Sequence, residues 1–319
     1  MNLRGKIIGI LLIVSGTFML GGGCDSVIYE DMLDCPQGVY LKFYSKTPCD
    51  ADSLYPANIK NLHIYVFDAN DKYVNVYTAD NVTLSKNYEF LVPIYPHGKY
   101  SFVAWSGIDS HYTLQSLQAG VATKDDLLLQ LKRTADLTEN IKGTTLCAGT
   151  SPYVFLPDPE EIQGAFYEHT AINMTEYTNR VEVIVEGFSQ PEDYVVDIAM
   201  RNGDYAVKGN MLLDKEMLHY PPEYTYIENK LSAKFTMLKL ETGYDDWLKI
   251  KTKDGKTIFY QEDFLGTLLL QNPDVNLSCE HDFVIRFKVE EDHGSYYTVG
   301  IWINGWRIHS YNTGVEGGG

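Results

Sequence analysis

Several groups of residues in this chain have types and spacings that could do chemistry. Adjacent carboxylates recur at Asp125/Asp126, Asp245/Asp246 and Glu290/Glu291. A glycosidase needs two such groups converging on one bond. Neighbours along a strand point to opposite faces, so these pairs read as solvated acidic surface. Cys279-Glu280-His281-Asp282 mixes metal-capable side chains. Alternation separates Cys279 and His281 from Glu280 and Asp282, and the run reads as a loop leading into the next strand. Asp68-Ala69-Asn70-Asp71 opens like a calcium loop, but the sixth position is Tyr73 rather than Gly and the twelfth is Ala79 rather than Glu. It is expected to be a hairpin turn. No GxSxG, HExxH, Walker or GxGxxG arrangement occurs, and no CxxC offers a zinc or redox site. The chain is expected not to be an enzyme and to use neither metal nor cofactor.

The residue with the clearest chemistry is Cys24. Arg4 and Lys6 precede an apolar run from Ile7 to Leu20, and Gly21-Gly22-Gly23 close it before Cys24. The run is shorter than the ~20 apolar residues of a bilayer span, and its layout is that of a signal peptide. Leu20-Gly21-Gly22-Gly23-Cys24 resembles the lipobox of bacterial lipoproteins, with Leu20 displaced by one from its usual place. Residues 1–23 are therefore expected to be removed and Cys24 to be acylated as the first mature residue. The competing reading is ordinary secretion, with Cys24 kept as a disulfide partner. Each buried methylene contributes ~0.8 kcal/mol and stable anchoring takes two signals, which a Cys with several acyl chains supplies alone. Asp25, Glu30 and Asp31 follow closely, as in the surface-export signals of Bacteroides-group lipoproteins. The expected location is the outer membrane, lipid-anchored and surface-exposed.

Charge narrows the partners. The whole chain carries a formal −17, and losing Arg4 and Lys6 with the leader makes the mature figure −19. Such a surface repels phosphate backbones and anionic head groups, so no nucleic-acid partner is expected. With Cys24 acylated, four of the five cysteines remain: Cys35, Cys49, Cys147 and Cys279. Export permits disulfides, and four cysteines allow three pairings. Cys35 and Cys49 flank an obvious strand and would close a loop of about 15 residues, worth ~3 kcal/mol in the chain-entropy model. That pair is the favoured one, with Cys147 and Cys279 left open.

The elements that position these residues are strands. Val39–Phe43, Leu62–Val66, Val181–Glu186 and Phe283–Val289 alternate with a period of two, the mark of half-buried strands. The 24 tyrosines suit partly wet sheet surfaces. Turn signals at Ala69-Asn70-Asp71-Lys72, Pro96-His97-Gly98, Asp254-Gly255 and Asn304-Gly305 separate apolar runs. Helices are expected at Thr123 to Arg133 and, less plainly, Pro159 to Gly164. The whole is expected to be all-β, with two tandem antiparallel β-sandwich domains spanning 24–164 and 165–319. Pro157-Asp158-Pro159-Glu160-Glu161 marks the boundary. Trp247 and Trp302 could form a sugar platform, against the competing fate of buried core.

Three passages carry a family resemblance. They are Asn61-Leu62-His63-Ile64-Tyr65-Val66-Phe67-Asp68-Ala69-Asn70, Gly98-Lys99-Tyr100-Ser101-Phe102-Val103-Ala104-Trp105-Ser106-Gly107, and Asn179-Arg180-Val181-Glu182-Val183-Ile184-Val185-Glu186-Gly187. With the lipobox and Asp34-Cys35-Pro36-Gln37-Gly38, they resemble the FimB-like fimbrial anchor lipoproteins through nearly the whole mature chain. The resemblance implies transthyretin-like sandwiches, a place at the base of a type V pilus, tethering to the outer membrane and a limit on fibre length. It also implies shaft or accessory pilin subunits as partners, joined by strand complementation. In this chain Tyr297, Val299, Ile301 and Ile303 alternate before the Asn304-Gly305 turn, and Trp306, Ile308 and Tyr311 follow. The segment Trp306 to Thr313 is a candidate donor strand, and equally a final hairpin closing its own domain. The functional alternative is a stand-alone adhesin or tip-like subunit that binds glycan or host protein.

Overall fold

The computed structural model describes residues 36–158, 161–162, 164–212, 216–293 and 295–310. Cys24, Cys35, Tyr311 and the leader lie outside them. The first part of the chain forms β1 (Gln37–Tyr44), β2 (Asn61–Phe67), β3 (Tyr73–Asp80), β4 (Glu89–Pro93) and β5 (Gly98–Ser106). Short strands follow: β6 (Tyr112–Leu114), β7 (Leu127–Leu131), β8 (Arg133–Thr134), β9 (Leu137–Thr138), β10 (Cys147–Thr150) and β11 (Val154–Leu156). Then come β12 (Phe166–Asn173), β13 (Thr175–Glu176), β14 (Thr178–Glu186), β15 (Tyr194–Met200), β16 (Asp204–Ala206) and β17 (Leu218–His219). The last are β18 (Glu223–Ile227), β19 (Lys230–Leu238), β20 (Asp246–Thr252), β21 (Ile258–Glu262), β22 (Asp282–Asp292), β23 (Ser295–Ile303) and β24 (Trp306–Ser310).

The fold is all-β. A three-stranded sheet, β12-β1-β4, faces a sheet ordered β13-β10-β5-β2-β3, to which β11 adds beside β5. Further along, the sheet β18-β19-β14-β22-β23-β24 faces β21-β20-β15-β17-β9-β8. Most pairings are antiparallel, but β1 runs parallel to β12 and β14 parallel to β22. Parallel neighbours need a long crossover, which the intervening strands of each sandwich supply.

Alternation explains the first core. Leu62, Ile64 and Val66 of β2 and Tyr100, Phe102 and Ala104 of β5 point toward Val39, Leu41 and Phe43 of β1. Tyr65 and Phe67, with Val103 and Trp105, point the other way and join a second core that extends into the later sheets. The central strand β5 is thus buried on both faces from Tyr100 to Ser106. Trp105 is fully buried, and its indole Nε1–H donates to the Val207 carbonyl at 2.7 Å. At Gly149 of β10, an added Cβ would lie 2.1 Å from the Asn173 carbonyl oxygen, so only glycine lets β10 approach β12 this closely.

Two expectations change here. The helix expected over Thr123–Arg133 is instead a turn and the strand β7, paired with β6 and β16. Asp126 accepts from the Thr123 amide and hydroxyl, fixing the turn, and Leu128, Leu129 and Leu131 are all buried. Burial between two partner strands overrides the helical propensity of a leucine run. The second expected helix, from Pro159 to Gly164, lies in part outside the described residues. The boundary expected at residue 164 does not separate the cores, because β12 pairs with β1 along its length and Ile172 and Met174 sit in the first core. The proline-rich stretch leads into β12. In the other direction, β7 pairs with β16 and β9 with β17, so the two halves interleave.

The disulfide is also corrected. Cys49 bonds to Cys279, 230 residues away, rather than to Cys35. Asp50 accepts from the Thr47 amide and hydroxyl, and this turn after β1 carries Cys49 to the loop before β22. Asn276 of that loop donates to the Cys49 sulfur at 3.6 Å. Cys147 is free and buried, and burial, then the Glu176 charge, push its thiol up to about 12. Peptide mapping without reductant should recover a Cys49–Cys279 cross-link and no Cys35–Cys49 pair. Cys279→Ser should lower unfolding stability by about 2–5 kcal/mol, read as a shift in the urea midpoint that reductant abolishes.

Candidate functional site

The groups with catalytic potential are each engaged separately. Asp125 pairs with Lys208 at 2.5 Å, Asp245 with Arg201 at 3.2 Å and Glu290 with Lys288 at 3.7 Å. Asp282 holds Arg180 through both carboxylate oxygens, at 2.6 and 3.0 Å. With Cys279 in the disulfide, Cys279-Glu280-His281 is the end of a connecting loop that leads into β22 at Asp282. The Asp68 segment is a hairpin turn, as expected: Asp68 accepts from the Asn70 and Lys72 amides and Asp71 takes a φ of 56°. No cluster of metal-capable side chains occurs among the described residues. Trp247 is no open platform, since Lys249 Nζ sits 3.9 Å from its ring centroid and His219 packs at 5.9 Å.

Two concave regions remain. A seam of about 710 Å³ runs between the sandwiches beside Lys46, Asn173, Glu176, Lys239 and His281. Its polar groups largely satisfy one another. Asn173 exchanges hydrogen bonds of 2.8 Å with the Lys46 backbone in both directions, Lys239 pairs with Glu241 and Glu176 with Arg180. The seam reads as packing between halves.

The second region is built by the last hairpin. Asn304 and Gly305 take φ of 47° and 84°, a turn that needs left-handed residues and returns the chain onto β23. Asn304 ties the turn down, its side chain accepting from the Val284 amide at 2.8 Å. Upstream the pairing with β22 slips, for Lys288 faces Gly300 while Val289 faces Thr298, leaving Val299 as a bulge. The bulge reverses the inward face. Ile301 and Ile303 are buried after it, whereas before it Tyr296 packs inward, its ring 4.9 Å from Phe188. The expected single face of Tyr297, Val299, Ile301 and Ile303 is therefore broken at Val299.

Between β21 and this hairpin lies a groove of about 810 Å³ lined by Phe259, Tyr260, Tyr296, Ile301 and Ile308. Burial, then the Glu262 charge, raise the Tyr260 phenol well above its usual range, so it stays a neutral donor. The candidate donor strand lies at the rim. Trp306–Ser310 pairs antiparallel with β23 and is the last strand of its own sheet. In the isolated chain Trp306–Ser310 is thus paired within its own sheet, the arrangement a favourable turn and cross-strand contacts promote. Tyr311 lies outside the described residues. Among these residues no strand pairs with the outer edge of β24. Trp306 is 50% exposed there.

The open strand edge thus lies beside an aromatic groove, away from the paired acids. The chain belongs to the family of fimbrillin-A associated anchor proteins Mfa1 and Mfa2, whose model matches residues 32–312. It is 37% identical to the minor fimbrium anchoring subunit Mfa2 of Porphyromonas gingivalis, over 98% of this chain and 97% of that one. The solved structure of the P. gingivalis fimbrial anchor protein Mfa2 superposes with a TM-score of 0.81, covering 87% of this chain and all of that one. A Bacteroides thetaiotaomicron structure, 23% identical, shares the fold at a TM-score of 0.70 over 86% of this chain and 98% of its own.

One buried acid gives a pH signature. Asp246 is 8% exposed and accepts from the Phe264 and Leu265 amides at 2.7 and 3.1 Å. Burial raises its pKa to about 6, with the amides opposing and Asp263 and Asp245 adding to the rise. A folded-state pKa above the unfolded value of ~3.9 favours folding below about pH 4, and that contribution is lost as pH rises through about 6. The urea midpoint of wild type should fall relative to Asp246→Asn across this window, and a flat difference would show that Asp246 ionises normally.

Proposed function

We propose that this protein is the lipid-anchored base subunit of a fimbria. Acylated Cys24 holds it in the outer membrane, and the folded part retains the first pilin at the surface by strand complementation. Holding the fibre in this way limits its length. The observation that carries the reading is the relation, over nearly the whole chain, to an anchoring subunit of a minor fimbrium. The lipobox ending at Cys24 supports it, since several acyl chains suffice for stable attachment.

Complementation takes a particular form in this reading. Donating Trp306–Ser310 would first break its pairing with β23, exposing Ile301 and Ile303 beside the groove. Adding a partner strand along the outer edge of β24 costs no such loss and satisfies backbone groups that face solvent. The base subunit accordingly accepts a strand at β24 and keeps its own.

The test compares wild type with Cys24→Ala in the native host, following this protein and the pilin polymers. Fibres shed into the medium, overlong and with this protein attached, are the expected outcome. Pilin that stays on the cells unchanged and never co-purifies with this protein would instead favour a stand-alone adhesin.

A further inference from the structure

The outer face of the last sheet carries a feature that anchoring does not require. Trp302 lies across β23 between two arginines on the flanking strands. The Arg286 guanidinium carbon is 4.6 Å and that of Arg307 5.3 Å from its ring centroid. The pairing register sets the three side by side, Arg286 opposite Trp302 and Trp302 opposite Arg307. Gly300 supplies the seat, for a Cβ there would meet the Trp302 ring at 2.5 Å. Stacking on an aromatic face fixes a guanidinium while leaving its N–H edge free to bind.

Neither arginine makes an ion pair with a carboxylate among the described residues, although acids outnumber bases 43 to 26 in the chain. The nearby acids are engaged, Glu182 with Ser232 at 2.7 Å and Glu290 with Lys288. Among the described residues Arg307 makes two long hydrogen bonds, to the His309 and Val299 carbonyls at 3.4 and 3.5 Å. The result is a local cationic stripe on an acidic protein, with Val284 exposed beside it. It borders the edge of β24 that, among the described residues, no strand pairs.

We propose that the Arg286–Trp302–Arg307 ladder is a docking surface for a carboxylate-bearing extended segment of the adjacent fimbrial subunit, laid along the outer edge of β24. The inference rests on the base-subunit reading and adds to it the chemistry of the partner. Main-chain bonds to β24 select an extended peptide. The two guanidiniums, 4.6 and 5.3 Å from one ring centroid, select acids on its outward face. An acidic partner would otherwise be repelled by the net charge, so the stripe also sets where it lands.

The test measures binding of the mature protein to immobilised fimbriae sheared from the same strain, at about 50 and about 300 mM salt. Wild type should bind, more weakly at the higher salt, and Arg286→Glu/Arg307→Glu should bind about tenfold or more weakly with an unchanged melting curve. If the double variant melts early, Arg307→Glu alone, on the edge strand, carries the same expectation. Variant binding equal to wild type overturns the ladder while leaving the base-subunit reading intact. Wild type that ignores fimbriae overturns both. Binding of wild type but not of the variant to alginate, a polyuronate, with alginate displacing fimbriae, would assign the surface to anionic glycan and overturn the peptide.

Discussion

From Tyr100 to Ser106, strand β5 has no solvent on either side of its plane, and most of the architecture follows from that. Its even-numbered apolar residues, Tyr100, Phe102 and Ala104, complete one core, and Val103 and Trp105 begin the other. A strand in this position cannot alternate apolar and polar residues, and the Tyr-Ser-Phe-Val-Ala-Trp-Ser run does not. The sheet containing β5 therefore acts as a wall shared by both cores. The Trp105 hydrogen bond to Val207 crosses from that wall to the second half, satisfying two buried polar groups that would each be costly alone.

The interleaving of the halves has the same origin. The outer face of a doubly buried sheet must be covered, and residues 108–146 do this before the chain returns to β10. The short strands β6 to β9 lie in that cover and pair onward with β16 and β17. The cover of one sandwich is thus part of the framework of the next, and the halves are held by strand pairing as well as side-chain contact.

Several strands were legible in the sequence because a period of two is a local property. Val39–Phe43, Leu62–Val66, Val181–Glu186 and Phe283–Val289 all lie in strands, and the Asn304-Gly305 turn forms as its residue types require. Long-range choices were not legible. Nothing local distinguishes Cys279 from Cys35 as the partner of Cys49, since the contact depends on where two loops lie after the sheets pair. The leucine run before Arg133 carries helical propensity, and only its place between β6 and β16 makes it a strand. The bulge at Val299 left no signature in an apolar stretch. The ladder followed the same logic: Trp302 was visible as an aromatic, but Arg286 and Arg307 become its neighbours only once the register of β22, β23 and β24 is set.

The Cys49–Cys279 bond also determines how the molecule responds to tension. A protein held at its N-terminal end and pulled from its C-terminal strand is stretched along the covalent path between the grips. That path runs through β1 to Cys49, crosses the sulfurs to Cys279, and continues into β22, β23 and β24. The stretch in between, residues 50–278, forms a closed loop in parallel with the load rather than in series with it. Shear on such a fibre base is borne by two short segments and one bond, and both cores can give way without lengthening the tether through the loop.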